Sequence, residues 1–335
     1  MKLVKKTYIG YIGVALIAAM FAACSEDTMD EINKDYDDPT TTPAKFTFAD
    51  LETSTASRNL GDECYAYTAC YTEQETGIYE QLYNIEKRNG LETSATSYNN
   101  TWENIYTTLR NAKVVIGKTD SDPLVKGAAE IMFAYNLALL TDLYGDVPYS
   151  EALNMDSTKT PKLDSQESIY KAVFNYLDNA ITLLEAGPDN TLDGYDFMYG
   201  GDAAKWVKFA YGLKARYTMR LLATYPEADK ATKLNDVLTY CSKSFTSADE
   251  QAAFNIYDAT NQNPVFDFEW SRDDIAASKS MYNKLAERND PRRYRVYFDP
   301  SYWTYVNPDS AYFNPAVNGV AGGAKYTYTY SVYMF

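Results

Sequence analysis

Apolar residues recur at helical spacing through the middle of the chain. Trp102, Ile105, Tyr106, Leu109, Ala112 and Val115 fall on one face, the mark of an amphipathic helix. Asp122-Pro123 then supplies an N-cap followed by a proline suited to a first helical turn. Ile131, Tyr135, Ala138, Leu139 and Leu143 make the next stripe, and Gly145 and Pro148 end it. The pattern restarts with Asp164 and Glu167 in capping-box spacing. Ile169, Val173, Leu177, Ala180 and Leu184 follow, closed by Gly187-Pro188. Gly200-Gly201-Asp202 opens a helix carrying Trp206, Ala210, Leu213, Tyr217 and Leu221. Pro226 opens another, with Ala231, Leu234, Leu238 and Cys241 as its apolar face. Helices in this order, joined by short turns, predict an all-α fold: a tetratricopeptide-like stack of helix pairs.

After about Ser244 the period fades. The segments "DATNQNPVFDFEW" and "YFDPSYWTYVNPDSAYFNPAVNGVAGGAKYTYTY" are rich in Pro, Asn, Gly and aromatic residues. They read as long irregular loops, with one short helix near Ala277 to Arg288 between them. The final "KYTYTYSVYMF" alternates like a strand.

The run "LLTDLYGDVPYSEAL" interrupts the helical pattern with a polar turn. As chemistry it would need Asp142, Asp146 or Glu151 tuned as acid and base. As structure it explains itself: Gly145 ends a helix, Asp146 bonds the turn backbone and Pro148 blocks continuation. Tyr144 and Tyr149 would pack on neighbouring helices. The structural elbow is the expectation. Trp102 and Trp206, both on regular stripes, are expected in the core.

The N-terminus has a different pattern. "MKLVKKTYIGYIGVALIAAMFAAC" carries three lysines, an apolar run from about Ile9 to Ala22, and small residues before Cys24. That is a signal peptide, too short for a comfortable membrane span. Ala-Ala-Cys at its end resembles a bacterial lipoprotein signal, with Phe21 in place of the usual leucine. Cys24 would become the first mature residue and carry lipid, and several acyl chains hold a protein firmly at a bilayer. The acidic stretch after it, to about residue 45, reads as a flexible tether.

Composition narrows the chemistry. The 335 residues include 31 Lys and Arg against 46 Asp and Glu, a formal net charge of −15. This argues against nucleic acid as a partner, since phosphate binding needs clustered cations. There is no histidine, which removes Ser-His and Cys-His nucleophile pairs, His-ligated metals and the usual neutral-pH proton shuttle. A carboxylate-only glycosidase stays open. Tyrosine is abundant, 32 residues, joining an apolar ring to a hydroxyl that suits both packing and sugar recognition. Cys64, Cys70 and Cys241 form no C-x-x-C and read as small core residues. No P-loop, Rossmann glycine motif, EF-hand or G-x-S-x-G is present, so neither cofactor nor metal is expected.

Taken in order, "TWENIYTTLRNAKVVI", "AAEIMFAYNLALLTDLYGDVPYSEAL", "TPKLDSQESIYKAVFNYLDNAITLL", "YGGDAAKWVKFAYGLKARYTMRL" and "NPVFDFEWSRDDIAASKSMYNKLAERNDPRRYRVYF" resemble the SusD/RagB family of outer-membrane nutrient-binding lipoproteins. They are most similar to the branch described as starch-binding proteins associating with the outer membrane. The resemblance covers roughly Cys24 to Phe298. It implies a binding protein, not an enzyme, lipid-anchored in the outer membrane and facing outward. Ser25-Glu26-Asp27 resembles the surface-export signal of Bacteroidota lipoproteins. It further implies capture of glycans, or peptides in some branches, and delivery to a SusC-like TonB-dependent transporter. Family members run longer and end in further helices, so residues 46–335 are expected to form the ligand-binding domain without its last helices, after a signal at 1–23 and a tether at 24–45.

In the family, loops outside the helix repeats grip the ligand. The candidates are therefore aromatic, outside a helical stripe and flanked by polar or turn residues. Tyr98 in "TSYNNTW" and Tyr302, Trp303 and Tyr305 in "SYWTYVNP" qualify; Trp270 in "FDFEWSRDD" ranks below them, since it also reads as a core strand residue. Asn100 or Asn307 could bond sugar hydroxyls. Two other functions stay open: a structural lipoprotein with no soluble ligand, and a carboxylate-based glycoside hydrolase.

Overall fold

The computed structural model describes residues 42–61, 63–87, 98–153, 159–272, 274–299, 304–320 and 330–331. The signal, Cys24 and nearly all of the tether lie outside these residues. From Pro43 onward the chain forms one unit.

Five consecutive long helices carry the fold: α4 (Asn99–Lys118), α5 (Pro123–Tyr144), α6 (Gln166–Ala186), α7 (Ala203–Arg220) and α8 (Glu227–Lys243). Each packs on the next, and α1 (Ala44–Ser54) lies against α4 and α5. The first of these helices begins at Ala44, inside the stretch read as tether. The α5/α6 pair is antiparallel. Gln166, at the start of α6, bonds Asp146 and Thr141 at the end of α5, while Gly187, after α6, abuts Pro123 at the start of α5. Gly127 allows this closeness, since a Cβ there would sit 2.7 Å from Leu184 Cγ. This is the helix-pair stack expected from the periodicity.

Helix α5 is buried along almost its whole length. Among the described residues it alone is long and apolar enough to cross a membrane, yet 83% of its most apolar window is buried inside the protein. It is a core helix. The core gathers Phe48 and Leu51 of α1, Leu109 of α4, Phe133 and Leu137 of α5, Leu177 of α6 and Trp206 of α7.

The caps follow the sequence with one correction. Asp122 accepts from Val125 N and Asp202 from Lys205 N, as read. At α6, however, Ser165 is the cap, accepting from Ser168 N. Asp164 instead turns back onto the elbow and accepts from Tyr149 N at 2.9 Å and from Ser150 N at 2.7 Å. Against the cost of desolvation, the bonds from Ser150 and Tyr149 hold the Asp164 carboxyl below its usual range. Tyr106 donates to the Pro148 carbonyl at 2.6 Å.

Gly145 has φ 76° and ψ −127°, a conformation that is essentially confined to glycine. We expect Gly145→Ala to destabilise the chain by about 1–3 kcal/mol, read as a lower midpoint in urea; an unchanged midpoint would show that the elbow tolerates a side chain.

Three expectations fail here. In α8, Ala231, Leu234, Leu238 and Cys241 point outward, Leu238 being 68% exposed. The face on α7 is the other one, where the Lys214 ammonium lies 4.5 Å from the Tyr240 ring centre. Cys241 is accordingly exposed, whereas Cys64 and Cys70 are buried. Trp102 is only partly buried.

The segments without periodicity form a second region. Thr55–Leu60 continues α1 as a π-helix, followed by α2 (Glu63–Tyr71) and α3 (Glu80–Glu86). Strand β1 (Glu75–Gly77) pairs antiparallel with β2 (Ile275–Ala277), joining segments far apart in sequence. Helices α9 (Pro264–Arg272) and α10 (Lys279–Glu287) flank β2. A small sheet is ordered β4 (Thr304–Tyr305), β3 (Tyr297–Asp299), β5 (Tyr330–Ser331). The strand read at the C-terminal end is therefore present at Tyr330–Ser331.

Candidate functional site

The first turn of α4 is held from outside the helix. Its N-cap residue, Tyr98, has φ 61° and ψ 6° and offers no side-chain cap. A non-glycine residue in this left-handed region is strained. Glu63 of α2 does the capping instead: its Oε2 accepts from Thr101 N and Thr101 Oγ1, both at 3.0 Å. The Tyr98 carbonyl accepts from the Tyr144 hydroxyl at 2.5 Å. Its ring lies edge-on to Tyr67, with centroids 4.9 Å apart. Burial, with the nearby Tyr71, Cys64, Tyr67 and Glu63, raises the pKa of the Tyr98 hydroxyl.

These ties fix one wall of a cleft of about 240 Å³. Asn99 and Asn100 of α4 face Glu63 and Tyr67 of α2 across it. Gln81 of α3, which donates to the Tyr67 hydroxyl, closes one side. Phe268 and Arg272 of α9 close the other, with the guanidinium carbon 5.2 Å from the Phe268 ring centre. The cleft thus combines aromatic surface with amide and guanidinium donors and carboxylate acceptors, a set that matches the mixed apolar and hydroxyl faces of a sugar.

The five residues named from sequence are scattered. Tyr98 does not line this cleft; its ring packs edge-on to Tyr67, which does. Tyr305 lies on β4, 52% exposed and edge-on to Phe298 at 6.2 Å. Trp270 falls within α9, so the strand reading is replaced by a helix. Tyr302 and Trp303 lie outside the described residues, as does Cys24. Periodicity could not find Glu63, Tyr67, Gln81, Phe268 or Arg272. They come from three short helices brought together by the β1–β2 pairing, and of the residues lining the cleft only Asn100 was named from sequence.

The elbow carboxylates are structural. Burial raises the Asp142 pKa, opposed by its bonds to Tyr170 and Arg220; the Tyr170 hydroxyl donates at 2.5 Å and the Arg220 guanidinium lies at 3.2 Å. Asp142 therefore ties α5 to α6 and α7. Bonds from the Lys162 backbone and side chain hold Glu151 below its usual range. Among the described residues, no group of three or more cysteine or acidic side chains is placed to hold a metal ion.

Comparison with known proteins gives consistent matches. The profile of a SusD-like family described as starch-binding, associating with the outer membrane, matches residues 32–331. A SusD/RagB family protein of known structure from Bacteroides thetaiotaomicron VPI-5482 is 40% identical, with a TM-score of 0.79 over 88% of this chain and 63% of its own. A chitin-binding protein is 23% identical, with a TM-score of 0.68 over 87% of this chain and 64% of its own. A chitin-binding SusD homolog from Flavobacterium johnsoniae is 19% identical, with a TM-score of 0.66 over 85% of this chain and 60% of its own. The last likenesses are of fold. The chain spans less than two thirds of the length of each of these structures. Among curated proteins, none matches.

Proposed function

The chain belongs to the SusD/RagB family, and from that premise we propose that it is a surface lipoprotein that binds glycans and passes them to a SusC-like TonB-dependent transporter. Cys24 carries the lipid in this reading, the stretch between it and α1 tethers the binding domain, and Ser25-Glu26-Asp27 directs it to the outer face. The observation that carries the proposal is the family match over residues 32–331. The cleft beside Asn99 supports it, because its rings and fixed polar groups suit a pyranose. The two chitin-binding neighbours make β-linked amino sugars a ligand class to try beside starch. Binding without catalysis fits the elbow, whose acidic side chains are tied to helix ends and cations.

The test is electrophoresis of the full chain in detergent through gels carrying amylopectin or glycol chitin. Retarded migration in one of them, with no reducing sugar released from that polysaccharide, is the expected result. Unchanged migration in both overturns glycan binding, and release of reducing sugar overturns the non-enzymatic part.

A further inference from the structure

A separate cleft of about 490 Å³ opens on the outer side of α4. Its floor follows the helix: Asn99, Glu103, Tyr106, Thr107 and Arg110 recur at intervals that share one face. Ala152 and Leu153, just past the elbow, form the opposing wall. That wall is held in place, since Asp164 clamps Tyr149 and Ser150 and Tyr106 holds the Pro148 carbonyl. The volume lies within the roughly 300–1,000 Å³ usual for small-molecule sites.

Trp102 gives the cleft its aromatic surface. The indole is partly exposed and braced by Tyr106, with centroids 4.8 Å apart, and by Tyr144 at 4.9 Å and 89°. A ring fixed this way has little freedom left to lose when a ligand stacks on it. Glu103 and Arg110 are exposed, and among the described residues no ion pair engages either. The Arg110 guanidinium offers donors and the Glu103 carboxylate acceptors, with the Thr107 hydroxyl between them.

Asn99 lines both this cleft and the one at the start of the helix, so the two share a boundary residue. At a helical rise of about 1.5 Å per residue, Asn99 and Arg110 stand about 16 Å apart along the axis. One sugar ring cannot span that stripe, but a short oligosaccharide can.

We propose that the α4 stripe is a second subsite, so that the ligand is a chain of several sugar units crossing Asn99, with Trp102 stacking on one unit and Glu103, Thr107 and Arg110 bonding hydroxyls further along. This rests on the glycan-binding reading above and adds a length requirement to it.

Calorimetry on the full chain in detergent tests it, using malto- and chito-oligosaccharides from disaccharide to heptasaccharide. The wild type binds the heptasaccharide at least about tenfold more tightly than the disaccharide. The double variant Glu103→Ala/Arg110→Ala, altered only at exposed positions, loses about fivefold for the heptasaccharide and nothing for the disaccharide, with unchanged melting. Trp102→Phe, which keeps a ring in the aromatic packing, shows the same selective loss. Affinity independent of length in the wild type, or equal losses for long and short sugars in the variants, overturns the subsite and leaves glycan binding standing. Failure of the wild type to bind any of these sugars removes glycan binding and the subsite with it.

Discussion

Truncating Trp206 to alanine is expected to cost about 3–5 kcal/mol, which for a chain of this size lowers the melting temperature by roughly 5–10 °C. The indole is fully buried. It stands edge-on to Tyr199 at 5.2 Å and to Phe48 at 5.8 Å, so it joins α7, α1 and the loop before α7. Its Nε1 donates to Asp196 Oδ2 at 2.7 Å. Asp196 also accepts from the backbone N–H groups of Met198, Tyr199 and Gly201. Trp206→Ala therefore opens a cavity and removes one donor from a buried carboxylate. Trp206→Phe separates the two effects: it keeps most of the ring, and leaving Asp196 short of one donor should cost about 1–3 kcal/mol. Urea unfolding of both variants is the measurement. A loss below about 1 kcal/mol for Trp206→Ala would place the indole outside the load of the core.

Trp102 and Trp206 occupy equivalent places in the sequence, each near the start of an apolar stripe, yet their surroundings differ. Trp206 is covered because the loop before α7 and α1 fold over it. Trp102 packs on Tyr106 and on Tyr144 at the end of α5, yet is left partly exposed beside the elbow exit. Periodicity reports which residues share a helix face, not how many neighbours cover that face. The same gap explains α8. Its Leu234–Leu238 stripe reads as an apolar face, but α7 is met by Tyr240 and Lys243, with Lys214 lying over the Tyr240 ring and Lys243 over the Tyr211 ring. A rule that sends apolar residues inward cannot anticipate a contact built on cations and rings.

Helix order was legible because α4 to α8 each present a stripe bounded by a cap, a glycine or a proline. The region before Tyr98 was not. Its helices are short, one continues as a π-helix, and their order depends on β1 meeting β2 from the other end of the chain. That pairing also assembles the cleft at Asn99, so the site was hidden for the same reason. Long-range pairing leaves no local signature, and Glu63 capping a helix that begins at Asn99 is invisible to any capping rule read along the sequence.

The second large effect is a dependence of stability on pH, centred on Glu52. This α1 carboxyl is 1% exposed, and its Oε2 accepts from Phe197 N at 2.7 Å. No donor reaches its Oε1, and the Asp196 carboxylate faces it. Burial first, then the charge of Asp196 and the hydrogen bond to it, push Glu52 up to about 9, against bonds from the Phe197 and Met198 backbone. Glu52 is thus protonated in the folded chain and donates to Asp196. In the unfolded chain it ionises near 4.5. Between those values the folded state holds the extra proton, so stability falls as pH rises. The stabilisation is complete below about 4.5 and lost by about 9, an upper bound of about 6 kcal/mol across the window. There is no histidine in the chain, and the background comes from other carboxyls that burial raises: Glu130, to about 7 against the pull of Lys126, and Glu86 and Asp142. Subtracting a variant removes that background. Glu52→Gln keeps the shape and a donor for Asp196 but cannot ionise, so thermal melts from pH 5 to 9 should show its advantage over the wild type growing with pH and levelling off near pH 9. Parallel wild-type and Glu52→Gln curves across that range would mean that Glu52 is ionised in the folded chain and that the α1 contact to the loop before α7 is built on some other balance of charge.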